Sequence, residues 1–383
     1  MKIRLMLAAV GLALAAGVSN AQIVVFTDTG DGPATGGSYI KTWDFTNGVL
    51  TRATYAPGVR LAGIDHAPGG TCDFYVADGV KPPPSGALAG TGRLLKVTDV
   101  LGAASTSVIA TGQQIWNPIG IRFDSRSNSV IDVDNLTSPG NPPEVVRGLY
   151  GINVGSGVQT LLQQERVSIP GVPPPNPEGR AFHEGGTYIS NDSRGVAGRY
   201  YVMSATGGRH VGAYQGIPNL NVSSAIWKVD VDATATSSTF TEFVDTSSAG
   251  FVHNSVSIPG ALTNYTDFRG ICMDADNNIY ITSTYFGLII KMTTDANGDF
   301  TGSSVIASGL NAPETIEYDE FTNTLVFAQI GARTLSRINL DGTGLTTLAT
   351  NVHVRGIDFC PIPTPGAIAG IGMVGLVALR RRR

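Results

Sequence analysis

The chain has 383 residues with 48 Gly, 21 Pro and only 15% charged residues, which suits many short strands joined by turns and argues against a helical bundle. Six of the 26 Lys and Arg residues fall in the two termini, leaving the body 20 basic against 30 acidic residues, about −10. A body so acidic disfavours nucleic acid and anionic lipid as partners. With three cysteines there is no disulfide scaffold, and no C-x-x-C or Cys/His cluster suggests zinc.

Residues 1–21, MKIRLMLAAVGLALAAGVSNA, have the form of a secretory signal. Lys2 and Arg4 make the charged start, Leu5 to Gly17 the apolar stretch, and Ser19-Asn20-Ala21 a small-residue cleavage site. Three strands are expected next, in QIVVFTDTG, SYIKTWDF and VLTRATYA. From there one motif recurs, a short strand with a small residue before a large apolar one. Its copies are RLAGID (60–65), NPIGIRFD (117–124), EGRAFHE (178–184), DFRGICMD (267–274), APETIEYD (312–319) and HVRGIDF (353–359). After each of the first five come three more strands, as in FYVADG, RLLKVTDV and STSVIATG.

Four strands in roughly 40–60 residues is the period of a propeller blade. The sixth motif has no strands after it, and the three N-terminal strands lack a first. The two ends therefore complete one blade together. The expected fold is an all-β, six-bladed β-propeller over 22–360, four antiparallel strands per blade, closed by one C-terminal strand so that no sheet edge stays open. The small residue marks where the inner strands converge.

The stretches NAPETIEYDEFTNTLVFAQIGARTLSRINLDGTGLTTLA and FRGICMDADNNIYITSTYFGLIIKM resemble the six-bladed propellers of the NHL, SMP-30/gluconolactonase and YVTN kind. That resemblance implies a fold rather than a reaction. Its SMP-30 branch implies a lactonase with one divalent ion held by a Glu opening an inner strand and by Asn and Asp from other blades. Asn117, Glu178 and Glu314 are the residues here that fall nearest that pattern, for Ca2+ or another divalent cation. A quinone-cofactor dehydrogenase is a further reading, for which His353 is the one mouth histidine that could serve as base.

Loops of one face are expected to be long, among them 30–37, 80–92, 136–147, 167–178, 208–222 and 247–266, with mostly tight turns on the other; function tends to sit on elaborated loops over a rigid scaffold. At the mouth of that face the motifs align Arg180, Arg269, Glu314 and Arg355 just ahead of the small residue, and Asn117, Glu178, Asp267 and His353 two positions earlier. Two readings stand. The guanidiniums converge on a carboxylate or sugar acid, or the oxygens on calcium; alternatively these charges pair between blades and hold the ring. DANGD (295–299) reads as a turn rather than a calcium loop.

The last residues, 361–383, join a Pro-rich spacer to a 14-residue apolar run, Gly366 to Leu379, shorter than the roughly 20 residues that cross a bilayer. Arg380, Arg381, Arg382 and Arg383 follow. This tail resembles the PEP-CTERM sorting signal of exosortase substrates, with Pro363-Thr364-Pro365 where that family has Pro-Glu-Pro. The resemblance implies export machinery and a sorting protease or transpeptidase as partners, and a cell-envelope, cell-surface or extracellular destination. A plain tail anchor is the other reading, so membrane contact is transient or permanent.

Cys72 and Cys360 follow the inner strands of neighbouring blades near the short-loop face, and the sequence leaves a bridge and two free thiols equally open. Cys272, inside an inner strand, is expected to be a buried thiol. The expected function is an exported binding module that takes a surface polysaccharide, peptide or protein on its long-loop face; the alternative is the lactonase.

Overall fold

The computed structural model describes residues 22–29, 37–45, 48, 50–57, 60–68, 72–79, 92–112, 115, 118–134, 148–164, 189–193, 195–204, 211–214, 217–221, 225–245, 250–251, 268–284 and 286–361. The expected signal (1–21) and, apart from Pro361, which ends the closing strand, the expected tail (361–383) lie outside the described residues, as do Trp116, Asn117, Glu178, Arg180 and Asp267.

Every described element is a strand. The first blade holds β1 (Gln22–Asp28), β2 (Gly37–Asp44) and β3 (Leu50–Pro57), and the second β4 (Arg60–His66), β5 (Phe74–Gly79), β6 (Arg93–Thr98) and β7 (Ser105–Thr111). The third runs β8 (Pro118–Asp124), β9 (Ser129–Asp134), β10 (Gly148–Asn153) and β11 (Gln159–Gln164). In the fourth, a hairpin of β13 (Val211–Tyr214) and β14 (Ile217–Asn221) is inserted between β12 (Arg199–Ser204) and the pair β15 (Ala225–Val231) and β16 (Ser238–Asp245). The fifth is β17 (Phe268–Met273), β18 (Ile279–Ser283), β19 (Leu288–Thr294) and β20 (Phe300–Ala307). The sixth is β21 (Pro313–Asp319), β22 (Thr324–Gln329), β23 (Thr334–Asn339) and β24 (Thr346–Thr350), after which β25 (Val354–Pro361) returns to the first blade. There it pairs antiparallel with β1, Val24 opposite Phe359 and Phe26 opposite Ile357, giving the sheet order β25-β1-β2-β3. The chain is a six-bladed β-propeller closed by its C-terminal strand, as expected from the split motif.

Burial explains the strand sequences. β5, β9 and β21 are buried along their whole length because each is covered by a blade on either side, and β9 and β21 carry carboxylates into that buried setting. Of the outer strands, β7 is largely exposed and β20 has no buried residue, and both are rich in Ser and Thr. The core is a set of layers between blades: Ile23 and Val25 pack towards the second blade with Ile64 and Phe74, while Val24 and Phe26 pack towards the sixth with Val326 and Leu335. The period of two sends alternate residues of β1 to opposite neighbours.

The small residue of the motif has a visible cause. A Cβ on Gly63 would lie 2.3 Å from the Ile119 carbonyl oxygen, and one on Gly270 would lie 2.2 Å from that of Glu314. Each inner strand is thus pressed against the backbone of the next blade's inner strand.

The fourth blade departs from the expected pattern. The place given to Ala181-Phe182 beside β12 is held by Ile189 and Ser190: Ile189 bridges Val202, and the Ser190 N–H donates to the Tyr201 carbonyl at 3.0 Å. Segment 178–184 lies outside the described residues. The alignment ISND with IRFD, ICMD and IEYD shows why, since Asp192 accepts a turn N–H just as Asp124, Asp274 and Asp319 do. This copy lacks the small residue of the motif, since Tyr188 stands before Ile189.

Cys72 and Cys360 form a disulfide, Cα to Cα 5.4 Å, that ties the closing strand to the second blade, and Cys272 is a buried free thiol. DANGD is the hairpin turn between β19 and β20, with Asp295 N–H donating to the Asp299 carbonyl at 2.9 Å.

Candidate functional site

The six inner strands bring one isoleucine each to the axis: Ile64, Ile121, Ile189, Ile271, Ile316 and Ile357, none more than 2% exposed. The space they leave to the centre of a water molecule is about 20 Å³, room for roughly one water. The axis is therefore closed to a solute, and a ligand would have to be met on a face.

The residue after each isoleucine forms a second tier, about 3.3 Å further along the strand: Asp65, Arg122, Ser190, Cys272, Glu317 and Asp358. Arg122 acts as a hub. Its Nη1 is 3.3 Å from Asp65 Oδ1 on the neighbouring blade, and its Nη2 reaches Glu317 Oε2 on the blade opposite in the ring. Three carboxylates surround this one guanidinium. Burial raises Asp65 and Glu317 above the usual carboxylate range against the pull of Arg122. Asp358 is raised further, first by burial and then by Asp65 and Glu317, and its Oδ2 is buried with no hydrogen-bond partner. The Cys272 thiol is raised by burial and by Glu317, so it is held as an unreactive thiol. The tier was printed in the motifs as GID, GIR, GIC, TIE and GID. The candidate residues expected at the mouth all stand ahead of the small residue, and the charges after the isoleucine were not among them.

Nearer the long-loop face lies the mouth. Glu314 on β21 and Arg355 on β25 form an ion pair across the seam between the sixth blade and the first; Glu314 is 2% exposed, and its Oε2 is buried without a partner. His353 is held at the same seam: its N–H donates to Asp28 Oδ1 at 3.1 Å, and its Nδ1 lies 3.1 Å from Thr29 Oγ1. Burial and then Arg355 push its pKa down, so it is neutral at pH 7. Asp28 in turn pairs with Lys41. Arg269 is half-buried at the matching register of β17. Of the eight mouth residues read from sequence, the structure brings Glu314, His353 and Arg355 together, and the pair it describes joins blades. As a metal site the described part does not fit, because Glu314 already faces a guanidinium and Asn117 and Glu178 are outside the described residues.

The connections divide by face as expected. On the mouth side they include 29–36, 80–92, 135–147, 165–188, 205–224 with its hairpin, and 246–267. The opposite side has short turns, such as 125–128, 274–278, 320–323 and 340–345.

No family model and no curated protein matches the chain. Solved structures do. A chain of the nidogen/laminin complex aligns with TM-score 0.56 at 11% identity over 88% of this chain and 98% of that one. The periplasmic gluconolactonase PpgL of Pseudomonas aeruginosa aligns with TM-score 0.52 at 11% identity over 90% and 100%. A Lactobacillus plantarum protein aligns with TM-score 0.50 at 15% identity over 89% and 99%. At these identities the likeness is one of fold: the chain is a six-bladed β-propeller whose neighbours include a protein of a binding complex and a lactonase.

Proposed function

We propose that this chain is an exported, surface- or matrix-associated propeller that binds a polysaccharide, peptide or protein through its long-connection face. The observation that carries the reading is the asymmetry of the connections, six long segments on one face over a ring whose axis is closed by isoleucines. The mouth charges fit a scaffold role, since Glu314 and Arg355 form an ion pair across the closing seam. Retention of the purified chain on cell-envelope polysaccharide and protein fractions tests this. Replacing 252–266 or 80–91 by a short Gly-Ser turn abolishes retention with melting unchanged, whereas altering the turn 340–342 does not. Retention that survives every long-connection replacement rules the reading out.

The second reading is a divalent-metal-dependent lactonase, supported by fold likeness to a gluconolactonase; it requires Glu314, whose Oε2 is unpartnered, to give up Arg355 for the metal. A sugar-lactone hydrolysis screen with added Ca2+, Mn2+ or Zn2+ separates the two. Turnover lost on Glu314→Gln supports the enzyme, and its absence with every metal removes it.

The proposed sorting tail gives a separate expectation. Deleting the tail 361–383, or 362–383 so as to keep Pro361 on Gln22, leaves the propeller folded and exported but released from the cell, and fractionation with the truncated chain still on the envelope refutes the sorting role.

A further inference from the structure

Two carboxylates, Asp132 and Asp134, are completely buried between the second and third blades, each 0% exposed. They stand two apart on β9, so they leave the same face of the strand, with Cα atoms about 7 Å apart. Val130, the preceding residue of that face, packs with Tyr75, Ala77 and Ile121, so the face looks towards the second blade. The register sets Asp132 opposite Ile121 and Tyr150, and Asp134 opposite Pro118 and Gly148, in the last ladder row before the long connection 135–147. Neither oxygen of Asp132 has a hydrogen-bond partner. A wholly buried acid with both oxygens unsatisfied requires a neutralising partner, either a proton or a cation. Burial, and then the neighbouring Asp134, hold its carboxyl well above the usual range.

We propose that Asp132 and Asp134 are the protein carboxylates of a buried divalent-cation site of the oxygen-preferring, calcium type. Two carboxylates on one strand face can share an ion at the 2.3–2.6 Å typical of Ca2+–oxygen bonds, the remaining ligands being carbonyls and water. Soft or imidazole-seeking metals are not suited, because the pair offers only oxygen. Calcium tolerates an irregular shell, whereas magnesium demands a near-ideal octahedron. Among the described residues no third His, Cys, Asp or Glu completes a cluster. The affinity therefore belongs to the weak extracellular class, with Kd on the order of 10⁻⁴–10⁻³ M. The ion braces the root of the long-connection face between two blades. The site does not involve Glu314 or depend on the binding reading above.

Calcium titration of the EDTA-stripped full chain, followed by calorimetry in two buffers of different protonation enthalpy and by thermal melting, tests the proposal. One ion per chain is expected, with a melting rise of about 2–4 °C at 10 mM Ca2+. The apparent heat should differ between buffers, because the Asp132 proton leaves as the ion enters. Asp132→Asn and Asp134→Asn should each weaken binding at least tenfold. Asp132→Asn, which removes a buried acid, should melt no lower than the stripped wild type. No heat and no melting shift at 10 mM Ca2+ overturns the site. So does undiminished affinity in both variants, which would put the ion elsewhere.

Discussion

Cys360→Ser lowers the melting temperature by up to about 7 °C, and truncation before His353 causes aggregation. The disulfide joins residues 288 apart in sequence, and chain entropy makes such a closure worth up to about 5 kcal/mol. For a domain of this size that converts to roughly 1.4 °C per kcal/mol. Truncation removes β25 altogether, so β1 loses its partner along the whole register from Gln22 to Asp28 and the first blade presents a bare inner edge. It also uncovers the layer in which Ile357 and Val354 pack on Val24 and Phe26. Differential scanning calorimetry under oxidising and reducing conditions checks the first result, and light scattering the second. An unchanged melting temperature on truncation would mean that the ring is not held shut by this strand.

Arg122→Leu is expected to cost about 3–5 kcal/mol, because it leaves the buried carboxylates of Asp65 and Glu317 without their shared cation and Asp358 beside them. The cost depends on pH in a defined sense. All three acids have folded-state pKa values above their unfolded ones, so the native state binds more protons over the window that begins near pH 4 and extends upward. Stability contributed by this tier therefore falls as pH rises through that window. Removing Arg122 raises these values further, so the difference between variant and wild type should be larger at pH 8 than at pH 5. Melting temperatures of the two proteins at both pH values decide it; equal differences would mean that the hub carries no net electrostatic weight. Asp358→Asn, which removes an acid with a buried unpartnered oxygen, should instead raise the melting temperature at pH 8.

The ring was legible because its determinants are local. Gly63, Gly270 and Gly356 are the small residues that a neighbour's backbone demands, and the split between QIVVFTDTG and HVRGIDF can be read as a circle. The fourth copy was not legible by that rule, since Ile189 follows Tyr188 and is recognisable only by the Asp192 turn that comes after it. Cys72 and Cys360 could be placed on neighbouring blades and one face, but whether their Cα atoms come within bonding reach depends on register and not on spacing. The charged hub was hidden for a related reason. Arg122 and Glu317 are 195 residues apart and meet across the axis, a relation that no pairwise strand pattern encodes. Asp132 and Asp134 read as ordinary strand-end residues until their burial is known.

Closure by the last strand also sets a clock. Phe26 finds its partner Ile357 only after about 330 further residues have been made. At about 5–20 residues per second, synthesis leaves the inner edge of the first blade open for roughly 15–65 s. Throughout that interval β1 is an apolar strand with one unpaired side, able to pair with whatever strand arrives first, including one from another copy. The last blade to be finished is the one begun first, and the Cys72–Cys360 bond can form only when that wait is over.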